Sequence, residues 1–278
     1  MRVDLNVANF ATPGGPAGLG QALARVARRA EDAGFERFWL WDHFFWDQTP
    51  IGPGVTDREM IEAYTTLGFI AGVTRNIKLG TLVASATYRH PGVLIKQVTA
   101  LDLLSGGRAI FGIGAGWFEE EHRALGIRFP SVKERFERLE ETVQIALQMW
   151  ADEGQYDRAK PFSGKHYRLE RTLNVPQTLQ RPHPPIMIGG GGEQKTLRLV
   201  TRYADACNLN GRLSPDQLAH KLAVLRGHCE RLGRPYDAIE KTLYGQLHVT
   251  RDGRAGSMSP PQAIATIAGR GPILASTR

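Results

Sequence analysis

The sequence predicts an α/β protein whose architecture is a closed (β/α)8 TIM barrel. Short apolar segments alternate with amphipathic ones along the 278 residues, and this alternation produces parallel strands joined by crossover helices. A doubly wound open sheet would satisfy the same alternation. However, seven strand–helix steps can be counted, and the proline-rich loop after the first strand lacks the GxGxxG pattern of a dinucleotide-binding turn. Both observations favour the barrel.

The predicted strands are short runs of apolar residues, several of them β-branched or aromatic. They lie at residues 3–7, 37–41, 77–83, 109–113, 185–189, 206–210 and 243–249. The first strand alternates apolar with polar residues, which is the pattern of a strand and not of the apolar core of a signal peptide.

Apolar residues spaced three and four apart predict helices between these strands. The helices are expected at residues 19–30, 91–104, 131–150 and 214–232. Ser131 and Glu134 form a capping-box pattern at the start of the third helix. Gly34 and Gly233 stand just past the ends of the first and the fourth, where a helix commonly ends on glycine.

Two regions depart from the regular alternation. Residues 118–184 form a long stretch that predicts an insertion packed outside the barrel, between the fourth and fifth strands. After residue 249 the sequence carries only a weak helix around 261–268 and a marginal eighth strand at 272–275, with no helix behind it. We therefore expect one domain over residues 1–278, with an incomplete C-terminal strand–helix unit.

The composition is that of a globular protein, because 42% of the residues are hydrophobic and 23% are charged. No run approaches the roughly 18 apolar residues that a membrane helix needs, so no membrane partner is expected. Cys207 and Cys229 are too few for a disulfide framework and lack a metal-ligand spacing. A reducing cytoplasm is the expected compartment.

The net charge of +7 has two explanations. A GC-rich genome, which favours arginine codons, is one of them. An acidic partner such as a phosphorylated cofactor is the other. The arginines are scattered along the predicted helices and do not form one stripe, so a nucleic acid partner is not expected.

The end of the second strand carries the first candidate site residues, because function in a barrel lies at the carboxyl ends of the strands. Asp42 and His43 stand there among aromatic residues at positions 41 and 44–46. A histidine can transfer a proton near neutral pH, and aromatic rings can enclose a planar ligand. The alternative is a core histidine beside an Asp42 that caps the next turn.

The third and fourth strands end in small residues, which let the backbone approach a ligand closely. Gly114, Ala115 and Gly116 follow the fourth strand, but Trp117 stands where a dinucleotide loop needs its third glycine. This turn indicates backbone that lies against a ring. A glycine turn without any ligand has the same sequence.

Four glycines follow the fifth strand at Gly189, Gly190, Gly191 and Gly192, just before a helix. Free backbone N–H groups at a helix N-terminus bind anions, and glycine lets a phosphate come close. The sequence therefore predicts a phosphate site. In contrast, residues 119–121 are expected to be a solvated helix start, and no metal-ligand spacing occurs.

Six motifs together resemble those of a known family. They are WDHFF at 41–45, LGTLV at 79–83, YRHP at 88–91, SGGRAIFGIGAGW at 105–117, PPIMIGGGGE at 184–193 and RYADACN at 202–208. Their order resembles the luciferase-like monooxygenase superfamily, and most of all its branch of oxidoreductases that depend on the deazaflavin coenzyme F420. The resemblance extends over residues 3–250.

The resemblance implies a luciferase-like barrel, usually a homodimer, that binds its cofactor at the strand ends. It implies a catalytic acid/base role for His43, which faces the cofactor ring. The cofactor-binding residues that it implies are Asp42, Leu82, Val83, Ala84, Ala115, Gly116, Gly189, Gly190, Gly191 and Gly192. In relatives, the segment that matches residues 82–84 often contains a cis peptide bond that does not involve proline.

The sequence departs from the family in two places. Trp117 stands where the sugar-phosphate dehydrogenase branch has a proton-donating glutamate, which argues against a sugar-phosphate alcohol as the substrate. Trp46 and Trp117 are expected to form walls of the substrate pocket. Relatives also continue through a full eighth strand and helix, so a truncated chain or a frameshifted tail is our hypothesis for the C-terminus.

These observations predict a cytoplasmic oxidoreductase that transfers a hydride between coenzyme F420 and a small organic substrate. A deazaflavin is a hydride carrier, whereas FMN also passes single electrons and activates oxygen. One alternative is therefore an FMN-dependent monooxygenase that receives reduced cofactor from a separate reductase. The other is a non-catalytic protein that binds a flavin or a deazaflavin.

Overall fold

The computed structural model describes residues 2–8, 10, 12, 15–46 and 59–245. The strands are β1 (Leu5–Val7), β2 (Arg37–Leu40), β3 (Lys78–Thr81), β4 (Ala84–Ser85), β5 (Ala109–Gly114), β6 (Phe162–Ser163), β7 (Arg168–Leu169), β8 (Ile186–Gly189), β9 (Ala206–Asn210) and β10 (Glu240–Tyr244). The helices are α1 (Gly15–Asp32), α2 (Ala63–Val73), α3 (Pro91–Ser105), α4 (Glu119–Ala124), α5 (Val132–Trp150), α6 (Thr196–Tyr203) and α7 (Pro215–Leu232).

The sheet is parallel, and its strands follow one another in the order β1, β2, β3, β5, β8, β9, β10. The short β4 also pairs with β5, further along that strand. A doubly wound sheet reverses its strand order at a switch point, whereas here each strand is added on the same side. The predicted α/β barrel architecture is therefore confirmed.

An ion cluster shows that the two ends of this strand order meet. Arg37, the first residue of β2, donates to Asp4 beside β1 at 3.2 Å. The same guanidinium donates to both carboxylate oxygens of Glu240, the first residue of β10, at 2.8 and 2.6 Å. Because β1 and β10 stand at opposite ends of the strand order, these bonds require a sheet that curls round on itself.

The residues on the two faces of the sheet pack in different layers, because side chains alternate along a strand. Phe38 and Leu40 point outward and join the large core under the helices. Trp39, between them, packs with Ile110 and Met187 in a separate cluster on the inner face. Leu82 and Val83 pack against this inner cluster, so it forms the floor beneath the strand ends.

The predicted elements differ from the structure in three places. The third predicted strand is divided, since β3 ends at Thr81 and a cis peptide bond joins Leu82 to Val83 before β4. The last strand begins at Glu240, and its predicted end at 249 lies outside the described residues. Helix α2 was not predicted, because it is buried on several sides and shows little polar–apolar alternation.

The region predicted as an insertion, 118–184, contains α4, α5 and an antiparallel ribbon of β6 with β7. Helix α5 packs on the sheet as the crossover helix between β5 and β8, with Leu139, Val143 and Trp150 buried. The Ser131 side chain accepts from Glu134 N at 3.3 Å, which is one half of the predicted capping box, whereas the Glu134 carboxylate pairs with Arg128 and Arg138. The single domain to residue 278 stays a prediction, and the predicted elements at 261–268 and 272–275 lie outside the described residues.

The part of the chain that the structure describes has no helix long and apolar enough to cross a membrane.

Arg108, at the start of β5, connects this strand to the ends of two helices. Its buried guanidinium donates to backbone carbonyls of Ala71 and Thr74 at the end of α2, Ser105 at the end of α3, and Ile77 before β3. These carbonyls are orphan acceptors that need a donor when buried.

We expect Arg108→Met to lower the free energy of unfolding by about 3 kcal/mol, because several buried carbonyls lose their donor. Equilibrium urea denaturation measures this difference. The exposed Arg75 provides the control, since Arg75→Met should change the free energy by less than about 0.5 kcal/mol. Equal losses in the two variants would contradict the assignment.

Candidate active site

A cavity of about 400 Å³ lies at the carboxyl ends of the parallel strands. Of the predicted site residues, those that line it are Asp42, His43, Trp46, Leu82, Val83, Ala84, Ala115, Gly116, Trp117, Gly189 and Gly190. The ends of β4, β5, β8, β9 and β10 and the loops after β2 and β3 contribute to the wall, because the ends of parallel strands converge at one end of a barrel. Gly191 and Gly192 are not part of this wall as the described residues define it.

His43 is held at the cavity wall by a carboxylate that the sequence analysis missed. The Nδ1 atom of His43 lies 2.7 Å from Oε2 of Glu121 on α4. The other oxygen, Oε1, accepts from the backbone N–H groups of Phe44 and, at 3.2 Å, of Phe45. The hydroxyl of Tyr88 donates to Oε2. One carboxylate therefore binds the loop after β2 and the loop after β4.

The expectation that residues 119–121 form a solvated helix start is wrong for Glu121. Glu119 and Glu120 are exposed, but the side chain of Glu121 is 0% exposed. The short helix α4 turns Glu121 and His122 inward, toward Phe118 and Tyr88. The local sequence carries no signal for this burial, because a run of three glutamates has the same pattern at a solvated helix start.

Glu121 stays ionised although it is buried. Burial alone raises the pKa of its carboxyl, but the hydrogen bonds and charge of His43, and then the hydroxyl of Tyr88, outweigh burial and lower that pKa below its ordinary value. Burial, followed by the bond to the Glu121 carboxylate, raises the pKa of the Tyr88 hydroxyl. Tyr88 therefore keeps its proton and acts as a donor.

Asp42 lies at the wall but uses both of its carboxylate oxygens on Arg89. The two guanidinium bonds measure 2.6 and 2.8 Å, and Arg89 also donates to Glu62 at 2.6 Å. Burial lowers the pKa of Arg89, but its bonds to Asp42 outweigh burial and raise that pKa. The Arg89 guanidinium also stands over the rings of Phe44 and Tyr64. Contact between Asp42 and a cofactor stays a prediction.

Several aromatic rings pack around His43. The rings of Trp46, Trp117 and Phe118 lie 5.0, 5.7 and 5.7 Å from the imidazole, between ring centroids. Trp41 packs against Trp46 at 5.1 Å. Trp46 and Trp117, which were predicted as pocket walls, therefore pack against each other. Trp117 is 62% exposed.

Val83 fills the space between two strand ends that lack side chains. A Cβ atom added to Gly189 would lie 2.8 Å from Cγ2 of Val83, and one added to Gly114 would lie 3.0 Å from it. The peptide bond before Val83 is cis, as the resemblance implied. Glycine at these positions therefore lets the segment of residues 82–84 enter the cavity floor.

Ser85, another wall residue, begins a directed chain of hydrogen bonds. Its Oγ lies 2.7 Å from Oγ1 of Thr87, which lies 2.7 Å from Nε2 of His122. Nδ1 of His122 must donate to the carbonyl of Phe118 at 2.7 Å, because a carbonyl only accepts. Burial lowers the pKa of His122, so the ring is neutral and Nε2 accepts. Thr87 then donates to His122, Ser85 donates to Thr87, and Ser85 keeps lone pairs for the cavity.

Arg135 on α5 supplies a cation that the sequence analysis also missed. It lines the cavity and is 9% exposed. Its Nε and Nη1 atoms have no hydrogen-bond partner among the described residues. Its guanidinium lies 4.1 Å from the centroid of the Phe129 ring. Burial lowers its pKa, yet an arginine remains charged in a protein, so this site can bind an anion.

The glycine turn after β8 divides into two parts. Gly190, with φ of +122°, borders the cavity beside Thr196, the first residue of α6. Gly191 lies beyond it, near Leu209 and Lys221. A phosphate contact by all four glycines therefore stays a prediction, and the structure places only the first two at the cavity.

In the described ranges, no group of three or more His, Cys, Asp or Glu side chains could hold a metal ion.

Comparison with known proteins agrees with this architecture. A sequence model of luciferase-like monooxygenases matches residues 1–255. The F420-dependent glucose-6-phosphate dehydrogenase of Kineococcus radiotolerans is 31% identical over 241 residues, which are 83% of this chain and 64% of that protein. The chain thus spans less than two thirds of the length of this relative.

Two solved structures are similar in fold. Monooxygenase RslO1 from Streptomyces bottropensis superposes with a TM-score of 0.74 at 23% identity, over 91% of this chain and 73% of that one. An F420-dependent secondary alcohol dehydrogenase in complex with an F420-acetone adduct gives 0.74 at 17% identity, over 97% and 82%. These two likenesses show the fold, and the matched family model shows that the chain belongs to the luciferase-like monooxygenase family.

We expect the stabilising effect of Glu121 to depend on pH. Its pKa is lowered in the folded protein, so its contribution is complete above the ordinary value of 4.5 and is lost as the pH falls through the folded-state pKa. Glu121→Gln should lower the free energy of unfolding by about 2 kcal/mol or more at pH 7. The difference from the unsubstituted protein should shrink below pH 4.5.

Urea denaturation at pH 7 and at pH 4 measures both differences. Glu120→Gln, on the exposed side of the same turn, should give a small difference that is equal at the two pH values. A loss for Glu121→Gln that stays constant with pH would contradict an ionised Glu121.

Proposed function

We propose that the protein is an oxidoreductase that transfers a hydride between coenzyme F420 and a small organic substrate. The observation that carries this proposal is the cavity in which a histidine held by a carboxylate shares a wall with a buried arginine. The first feature suits proton transfer, and the second suits an anionic cofactor. The names of curated relatives at about 30% identity support F420 as that cofactor.

The residues of the cavity fit the parts of such a cofactor. Arg135 lines the cavity and would bring a positive charge to a phosphate, and the turn at Gly189 and Gly190 borders the same cavity. The segment of residues 82–84 provides a backbone surface for a ring. When bound, the deazaflavin supplies the hydride chemistry, and the protein supplies orientation and charge.

His43 would hold the proton that the substrate oxygen loses or gains when a hydride leaves or reaches the neighbouring carbon. Trp46 and Trp117 would exclude water from this end of the cavity, since their rings flank the imidazole. The sugar phosphate of the relative is not assigned here, because Trp117 occupies the turn after β5 where the resemblance places a glutamate in that branch. The substrate would instead be another small organic molecule.

The family resemblance also supports a homodimer. The low cysteine content supports a cytoplasmic location, and a separate reductase that supplies reduced cofactor would be a further partner. These remain parts of the proposal.

We expect His43→Ala to leave the dissociation constant for F420 within about threefold, because the imidazole contributes chemistry and little binding. Turnover should fall by roughly 10²-fold or more. Loss of F420 fluorescence with a panel of alcohols, and its recovery with ketones, measures turnover. Unchanged turnover would remove His43 from the proton-transfer role.

We expect Arg135→Met to raise the dissociation constant for F420 at least tenfold, because the buried cation would no longer meet the phosphate. Fluorescence titration measures the constant. Lys133→Met, which removes an exposed cation two residues away on the same helix segment, should leave it within twofold. Equal effects of the two substitutions would mean that Arg135 acts only through net charge.

Two further outcomes decide between this proposal and its alternatives. Oxygen consumption with reduced FMN, together with weak binding of F420, would assign the protein to the monooxygenases. Tight cofactor binding without turnover across the panel would indicate a binding protein.

A further inference from the structure

Four groups contact the Glu121 carboxylate, and each of them can donate a hydrogen bond to it. Two of the donors are the backbone N–H groups of Phe44 and Phe45, which cannot act as acceptors. The third is the hydroxyl of Tyr88, which donates to Oε2. The fourth group is Nδ1 of His43, at 2.7 Å from the same oxygen. An ionised carboxylate only accepts, so Nδ1 of His43 must carry a hydrogen.

We propose that Glu121 is a positioning residue that fixes the tautomer of His43, with the hydrogen on Nδ1 and the lone pair of Nε2 available to the cavity. The inference rests on the proposed proton-transfer role of His43. It goes beyond that role because it assigns the protonated nitrogen and the residue that selects it. Free imidazole chooses between its two tautomers by its hydrogen bonds, and here only one choice satisfies Glu121.

None of the other charged or titratable groups described around His43 and Glu121 accepts the hydrogen on Nδ1 of His43. Tyr88 faces Glu121 from the loop after β4, and burial with the carboxylate keeps it protonated. Asp42, which precedes His43 in the chain, is paired with Arg89. His122, on the same helix, bonds to Phe118 and Thr87. None of these groups competes for Nδ1 of His43 in the described structure.

Glu121→Gln changes the hydrogen bond to His43 but keeps the packing, because glutamine has nearly the same shape as glutamate. The amide oxygen must take the place of Oε1, since Phe44 and Phe45 donate there. The amide NH₂ then faces Nδ1 of His43 and becomes a donor. His43 must respond by placing its hydrogen on Nε2, so the group that faces the cavity changes from an acceptor to a donor.

Nitrogen-15 NMR of histidine-labelled protein without cofactor tests this directly at pH 9, where imidazole side chains are neutral. The His43 signals are assigned from their loss in His43→Asn. We expect the Nδ1–H tautomer of His43 to exceed the Nε2–H tautomer by about tenfold or more in the unsubstituted protein. Glu121→Gln should reverse this preference, and Glu120→Gln should leave it unchanged.

A predominant Nε2–H tautomer in the unsubstituted protein would overturn the proposal, even if Glu121→Gln fails to fold. An unchanged tautomer in a folded Glu121→Gln would overturn it as well. Kinetics then separate this proposal from the proposed function. If both hold, Glu121→Gln should lower kcat roughly 10²-fold or more with KM nearly unchanged. The expected tautomers in a protein that never turns over F420 would refute only the proposed function.

Discussion

The buried carboxylate of Glu121 is the interaction on which the arrangement of this site depends. It is fully enclosed and ionised, so it must be surrounded by donors. Those donors come from the loops after β2 and β4, and the carboxylate itself comes from α4. The three segments therefore adopt one relative position. His43 is one of the donors, and for that reason the imidazole stands at a fixed point on the cavity wall.

A second constraint shapes the floor of the same cavity. The chain between β3 and β4 rises into the barrel at Leu82 and Val83, and the side chain of Val83 occupies the space that Cβ atoms at Gly114 and Gly189 would need. Gly114 and Gly189, at the ends of β5 and β8, therefore make room for Val83 as well as for any ligand. Arg135, on α5, also lines this cavity and supplies a positive charge. The backbone of residues 82–84 and a cation therefore line the same cavity.

The sequence allowed the barrel and most of the wall to be predicted, because strand ends of parallel strands converge and carry short, distinctive motifs. His43, Trp46, Trp117 and the glycines at the ends of β5 and β8 could be placed on this ground alone or with the family resemblance. Glu121 could not, since three successive glutamates at a helix start have the pattern of a solvated surface. Its burial depends on how α4 meets the loop after β2, some 76 residues earlier in the chain.

Arg135 was missed for a related reason. It lies in a charged helix in which Arg138 and Glu134 form an ion pair, and the local pattern does not distinguish the arginine that lines the cavity. The pairing of Asp42 with Arg89 is likewise a contact between distant segments. Such partners follow from the tertiary arrangement, whereas motifs at strand ends are local.

The central claim is that this cavity binds a deazaflavin and that His43 acts beside it as the acid/base. Titration of the purified protein with coenzyme F420 and, separately, with FMN tests it most directly, with cofactor fluorescence as the signal. The account predicts saturable binding of F420 that is at least tenfold tighter than binding of FMN. Tighter binding of FMN, or binding of neither cofactor, would contradict it.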